Sequence, residues 1–118
     1  MNQKPSTKLE RAVYSMLRSN ANSTSATDVQ ETADDVMQHG CQSGIIGQLI
    51  YYTDTVKFYK KHRDEISKLV SELYDQTGEG PNILRGWDNS DPLAMEVYNQ
   101  NVLAWFAFEE ITRRLFDN

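Results

Sequence analysis

The chain has 118 residues, 39% hydrophobic and 25% charged, with 12 Lys and Arg against 17 Asp and Glu for a formal net charge of -5. That length suits one domain with a modest core, and the composition is that of a globular chain rather than a disordered one. The acidic balance argues against wrapping a nucleic-acid backbone, the single Cys41 excludes an internal disulfide and a paired-cysteine zinc site, and the longest apolar runs, GIIGQLIYY and VLAWFAF, fall short of the ~20 residues of a membrane span.

The N-terminal MNQKPSTKLER lacks the apolar segment of a signal peptide, so a cytoplasmic location is expected. Without secretion, the NST acceptor string at 22–24 carries no meaning. Residues 1–6 read as a flexible tail. Thr7 and Glu10 then have the spacing of a capping box, and Leu9, Val13, Met16 and Leu17 follow as one apolar face, which predicts a helix over 7–19. The polar stretch 19–27 reads as a linker. Thr27 and Gln30 repeat the capping-box spacing, and Val29, Ala33, Val36 and Met37 repeat the apolar one. Asp28, Glu31 and Asp35 stand off that stripe near the helix N-terminus, where the dipole favours acids. Gly40 is placed to end this second helix.

A turn at Gly40–Gly44 leads to a short, nearly all-apolar helix over 43–51. Thr53, Asp54 or Thr55 is placed to cap the next one. Val56, Tyr59, Ile66, Leu69, Val70 and Leu73 form a long stripe that predicts a helix over 55–76, closed by TGEGP. Residues 77–90 read as a loop. Asp91 and Pro92 give the cap and first position of a further helix, with YNQN a candidate break near 100 and Asn101 a candidate cap for a separate last helix. Val102, Leu103, Trp105, Phe106, Phe108 and Ile111 cover most of that helix's circumference, as in a helix packed on several sides. Glu109–Arg113 and Glu110–Arg114 are i, i+4 pairs in the favourable order. The expected fold is all-α: a single domain over 1–118, a bundle of four to five helices around one core with the aromatic C-terminal helix at its centre.

The residues that bear chemistry have ordinary structural readings beside them. Gly40, Gly44 and Gly47 before a helix suggest a phosphate cradle, but no Lys accompanies them and tight turning explains them more simply. Cys41, Ser43 and His39 suggest a nucleophile, yet nothing in the spacing brings a base to the thiol. His62 with Glu65 offers at most one metal-ligand step, and no second Glu-x-x-His pattern exists, so no metal and no cofactor is expected. In LIYYTDT, Tyr51 and Tyr52 cannot both face a core, so one ring is available for recognition, as is Trp87 in its polar loop. The acids over 28–35 and 64–79 are read mainly as solvated helix faces.

Two strings, GCQSGIIGQLIYYTDT (40–55) and NVLAWFAFEEITRRL (101–115), resemble an uncharacterised family of small proteins carried by phages, prophages and plasmids. Its members carry Gly-Cys-x-Ser-Gly, Leu-Ile-Tyr-Tyr-x-Asp-Thr and Leu-Ala-Trp-Phe-Ala-Phe-Glu-Glu. The match runs from about residue 36 to 116, and NILRGWDNSDPLAMEVYNQ is longer than the corresponding connection in many members. The resemblance implies a mobile-element origin, a bacterial cytoplasm and an accessory role, and it transfers no activity. The expected function is therefore a non-enzymatic protein-binding module, an anti-CRISPR or anti-restriction type inhibitor of a host protein or ribonucleoprotein defence complex. Its contacts would be Tyr51, Tyr52, Asp54 and Trp87, with Asp28, Glu31 and Asp35 steering the encounter. No membrane or direct nucleic-acid partner is expected, and the chain is expected to be a monomer or weak homodimer. The rivals are a small helical hydrolase or nucleotide-binding protein using residues 39–54, and a structural or regulatory homo-oligomer.

Overall fold

The computed structural model describes residues 4–20, 28–39, 52–81, 83 and 91–117, and their side chains other than those of 19, 20, 28 and 52–54. The described residues form five α-helices and no strand: α1 (Lys8–Asn20), α2 (Asp28–His39), α3 (Tyr52–Lys61), α4 (Arg63–Thr77) and α5 (Pro92–Phe116). The expected helix over 43–51 lies outside the described residues. The all-α expectation holds. No described helix is long and apolar enough to cross a membrane.

The chain divides into two compact units, Met1–Leu49 with Phe108–Asn118, and Ile50–Ala107. In the first unit, α1 starts as its sequence foretells. The Glu10 amide donates to Thr7 Oγ1 at 3.1 Å, and the Thr7 amide donates back to Glu10 Oε1 at 3.0 Å. Ser6 adds its hydroxyl to the same carboxylate at 3.0 Å, and its carbonyl accepts from Arg11 Nη1, so the residue before the box is tied to the helix. Leu9, Val13 and Leu17 are buried along α1, as are Ala33 and Val36 along α2, which packs against it. The C-terminal end of α5 supplies Phe108, Ile111, Leu115 and Phe116 to the buried set. The Phe116 ring stacks on Tyr14 with centroids 6.1 Å apart and planes 2° from parallel. Thr112 is fully buried and satisfies its hydroxyl on the Phe108 carbonyl at 2.7 Å.

In the second unit, the single helix expected over 55–76 is two. His62 sits between α3 and α4 with φ -116° and ψ 20°, outside helical values. Its amide still donates back to the Phe58 and Tyr59 carbonyls, and its carbonyl accepts from Ile66, so the hydrogen bonding continues through the interruption. The imidazole is buried, its ring 5.0 Å from that of Phe58. Because α3 begins at Tyr52, Thr53, Asp54 and Thr55 lie within the helix rather than capping it, and Thr55 is buried. At the other end, Gly78 takes the left-handed conformation at φ 74° and donates to the Tyr74 carbonyl at 2.8 Å, while Thr77 Oγ1 donates to Leu73 O. Glycine adopts this conformation at no steric cost.

Asp91 caps α5 as expected, accepting from the Leu93 amide at 3.0 Å with Pro92 in the first helical position. The expected break near residue 100 does not occur. YNQN continues the helix, and Asn101 lies inside it rather than capping a separate one. Those four residues are mediocre helix formers, but each lacks less than about 0.7 kcal/mol relative to Ala, which packing overrides. Burial along α5 follows Gln100, Ala104, Ala107, Phe108, Ile111, Thr112, Leu115 and Phe116, one face at helical spacing. The rings of Trp105 and Phe106, expected in the core, are only half-buried. The small Ala104 and Ala107 are the fully buried side chains at that level.

Candidate functional site

The contacts foreseen from sequence fall mostly outside what the structure describes. Tyr51 and Trp87 lie outside the described residues, as do Cys41, Gly40, Gly44 and Gly47. Tyr52 and Asp54 belong to α3 and Asp28 opens α2, but their side chains lie outside the description. Glu31 is exposed on α2. Asp35, half-buried on the same helix, meets His39 Nε2 at 3.6 Å. Among the described residues, no group of three or more His, Cys, Asp or Glu is arranged to hold a metal ion.

The second unit carries a groove of about 590 Å³ along α4. Ile66, Val70 and Tyr74 form one wall, at i, i+4 and i+8, with Ser67 and Ser71 on its outer edge. Pro81, Ile83 and Leu103 of α5 complete the lining. The glycine cap places the far wall. By turning the chain at Gly78, it brings Gly80 to where a Cβ would stand 3.7 Å from the Tyr74 ring. The floor at Ile66 is fully buried, whereas Tyr74 is 60% exposed at the end of the groove. Sequence reading assigned Ile66 and Val70 to a core stripe and did not single out Tyr74. The signal was there: Tyr74 extends the same stripe by one more turn, inside an acidic segment.

A second cleft, about 520 Å³, lies where Tyr59 and Arg63 face Met95, Glu96, Asn99 and Gln100. Gln100 is almost fully buried and donates to Glu96 Oε1 at 3.4 Å, so the cleft's buried amide is internally engaged. On α5, the buried atoms Asn101 Oδ1 and Trp105 Nε1 have no hydrogen-bond partner. They are an acceptor and a donor one helical turn apart in sequence.

Among the described residues, two carboxylates have displaced acidities. Glu109 is raised above its ordinary 4.5 because burial disfavours the charged form, an effect the Arg113 charge opposes without cancelling. The expected Glu109–Arg113 pair is not the one formed. Arg113 Nη1 meets Glu110 Oε2 at 2.7 Å, and Arg114 Nε meets Glu110 Oε1 at 3.5 Å, so Glu110 gathers both cations. The foreseen Glu110–Arg114 pair is present. Glu10 is lowered: burial raises it, but the hydrogen bonds from Thr7 and Ser6 together outweigh that effect.

No curated protein and no solved structure matches the chain. A family model described as a domain of unknown function (DUF7222) matches residues 7–118, and the chain belongs to that family. The match takes in α1 and the first two turns of α2, which the resemblance read from residues 36–116 did not reach.

Proposed function

We propose that this DUF7222 protein is a non-enzymatic protein-binding module that inhibits a host defence complex by occluding one of its working surfaces. The observation that supports this best is the α4 groove, an apolar channel ending in an exposed tyrosine. An exposed aromatic beside apolar pockets is a common anchor of a protein interface. The choice of partner rests on the resemblance of residues 40–55 and 101–115 to proteins of phages and plasmids. In that setting the partner is a protein or ribonucleoprotein of the bacterial cytoplasm. Tyr51, Tyr52, Asp54 and Trp87 remain proposed contacts, with Asp28, Glu31 and Asp35 as steering charges.

The test is protection in cells. A bacterium with an active CRISPR or restriction system is challenged with a targeted plasmid, with and without the protein. Wild type is expected to raise transformation at least about tenfold against one such system, and Tyr74→Ala with Ser71→Arg is expected to abolish the gain without lowering Tm by more than a few degrees. Equal protection by the groove variant would remove the groove from the mechanism. No protection by wild type against any system tested would remove the inhibitor reading.

A further inference from the structure

We infer that the outer face of α3 and α4 is a self-recognition surface, on which a second copy of the chain docks antiparallel about a two-fold axis at the level of Ile66. This goes beyond the inhibitor reading and does not depend on it.

The face is a stripe of charge. Asp64, Lys68, Glu72 and Asp75 recur at i, i+4, i+8 and i+11 along α4, the spacing of one helix side. Lys60 and Lys57, four and seven residues before Asp64, continue that spacing into α3. The backbone hydrogen bonding runs through His62 between the two helices. All six side chains are exposed, and none is in an ion pair with another described residue. Two of their i, i+4 neighbours, Lys60 with Asp64 and Lys68 with Glu72, come in the less favourable order, base before acid. The stripe lies beside the α4 groove and lines neither it nor the second cleft.

Outward from Ile66, the charges along this face are antisymmetric. Asp64 and Lys68 stand two positions away on either side, Lys60 and Glu72 six away, and Lys57 and Asp75 nine away. A two-fold contact sets each residue against its counterpart in the other copy, and here every such pair is acid on base, doubled by the symmetry. The register is selective. Sliding one copy by a helical turn moves the axis to Asp64 or to Lys68, so that residue opposes itself, and sets Lys60 against Lys68 or Asp64 against Glu72. A parallel arrangement would oppose every charge with its own kind. The neighbouring charges do not disturb the match. Lys61 has the neutral Ser71 as its counterpart, Arg63 lines the second cleft, and Glu65 is half-buried. The last turn of α4 holds Asp75 and no basic residue, against the helix dipole, and Lys57 of the second copy supplies the cation which that end lacks. Exposed ion pairs each contribute little, so the dimer is weak, with a Kd of about 0.1–1 mM.

The experiment follows the full chain, labelled with nitrogen-15, by NMR and sedimentation as it is diluted from about 1 mM to about 20 µM. The salt is held at about 0.1 M, where screening over ~10 Å mutes the repulsion between two negatively charged copies. Amide shifts that follow concentration are expected along residues 57–75 and not on α1 or α2. Lys57→Glu with Lys60→Glu, and separately Glu72→Lys with Asp75→Lys, should each weaken self-association at least about tenfold. Mixing these two variants should restore it, because both ends of the mixed pair then match, although each variant stays net negative. As a control, Glu31→Lys with Asp34→Lys puts the new cations on α2 and should not associate with the Lys57→Glu, Lys60→Glu variant. All the substituted positions are exposed, so the variants keep the fold, and thermal melts check this. A single monomeric species with unmoved amides at the highest concentration overturns the inference. So does a dimer that either charge reversal leaves intact, a mixture that fails to recover, or a control that associates equally well. Shifts at Lys57 and Lys60 on adding a short DNA duplex, with none on self-dilution, would assign the face to a polyanion and overturn the second copy as its occupant.

Discussion

Glu109 and Glu10 pull the pH dependence of stability in opposite directions. Glu109 binds its proton more tightly in the folded chain than in the unfolded one, so stability falls as pH rises from 4.5 through its folded value. Glu109→Gln should therefore raise Tm at pH 7, and the gain should shrink to nothing near pH 4, as thermal melts at the two pH values would show. Glu10 is lowered, so its contribution is in place above 4.5 and is lost as pH falls through its folded value. Breaking the box by Thr7→Ala should cost about 1 kcal/mol in denaturant unfolding at neutral pH. The box was legible because both partners are local, three residues apart in sequence. The Arg113–Glu110 pair was not, since i, i+3 and i, i+4 partners compete for one guanidinium and side-chain rotamers decide between them.

Helices end where backbone chemistry forces them to. Gly78 and the Asp91–Pro92 cap could be read from sequence for that reason. Nothing lies within 4 Å of a Cβ added at Gly78, so Gly78→Ala meets only backbone strain. It should destabilise the chain by about 1–2 kcal/mol, measurable by urea unfolding. The interruption at His62 had no such signature. A histidine is compatible with a helix, and what sets it apart is its non-helical φ and ψ and its burial against Phe58. The continuity of α5 through YNQN was misjudged for the converse reason. Weak local propensity there is overruled by the burial of Gln100 and Ala104 on either side of Asn101. The groove was half legible. Its floor was in the apolar stripe, but its far wall comes from Pro81, Ile83 and Leu103, which only the folded chain brings alongside.

The first compact unit is assembled from the two ends of the chain, and the second from its middle. Leu115 is fully buried near the last residues. Leu115→Ala should cost about 2–5 kcal/mol in a chemical denaturation experiment, the range for a buried leucine emptied of its side chain. Deleting residues 108–118 should do more, leaving the buried faces of α1 and α2 without the Phe108, Ile111 and Phe116 side chains that share their unit. Dye binding to exposed apolar surface would report that loss. The Tyr14–Phe116 stack joins positions 102 residues apart in the chain. During synthesis, then, the earliest helices emerge long before the side chains that bury them have been translated. A ribosome stalled before residue 108 would hold out a nascent chain with the apolar faces of α1 and α2 unshielded, open to chaperones and proteases until the later turns of α5 emerge.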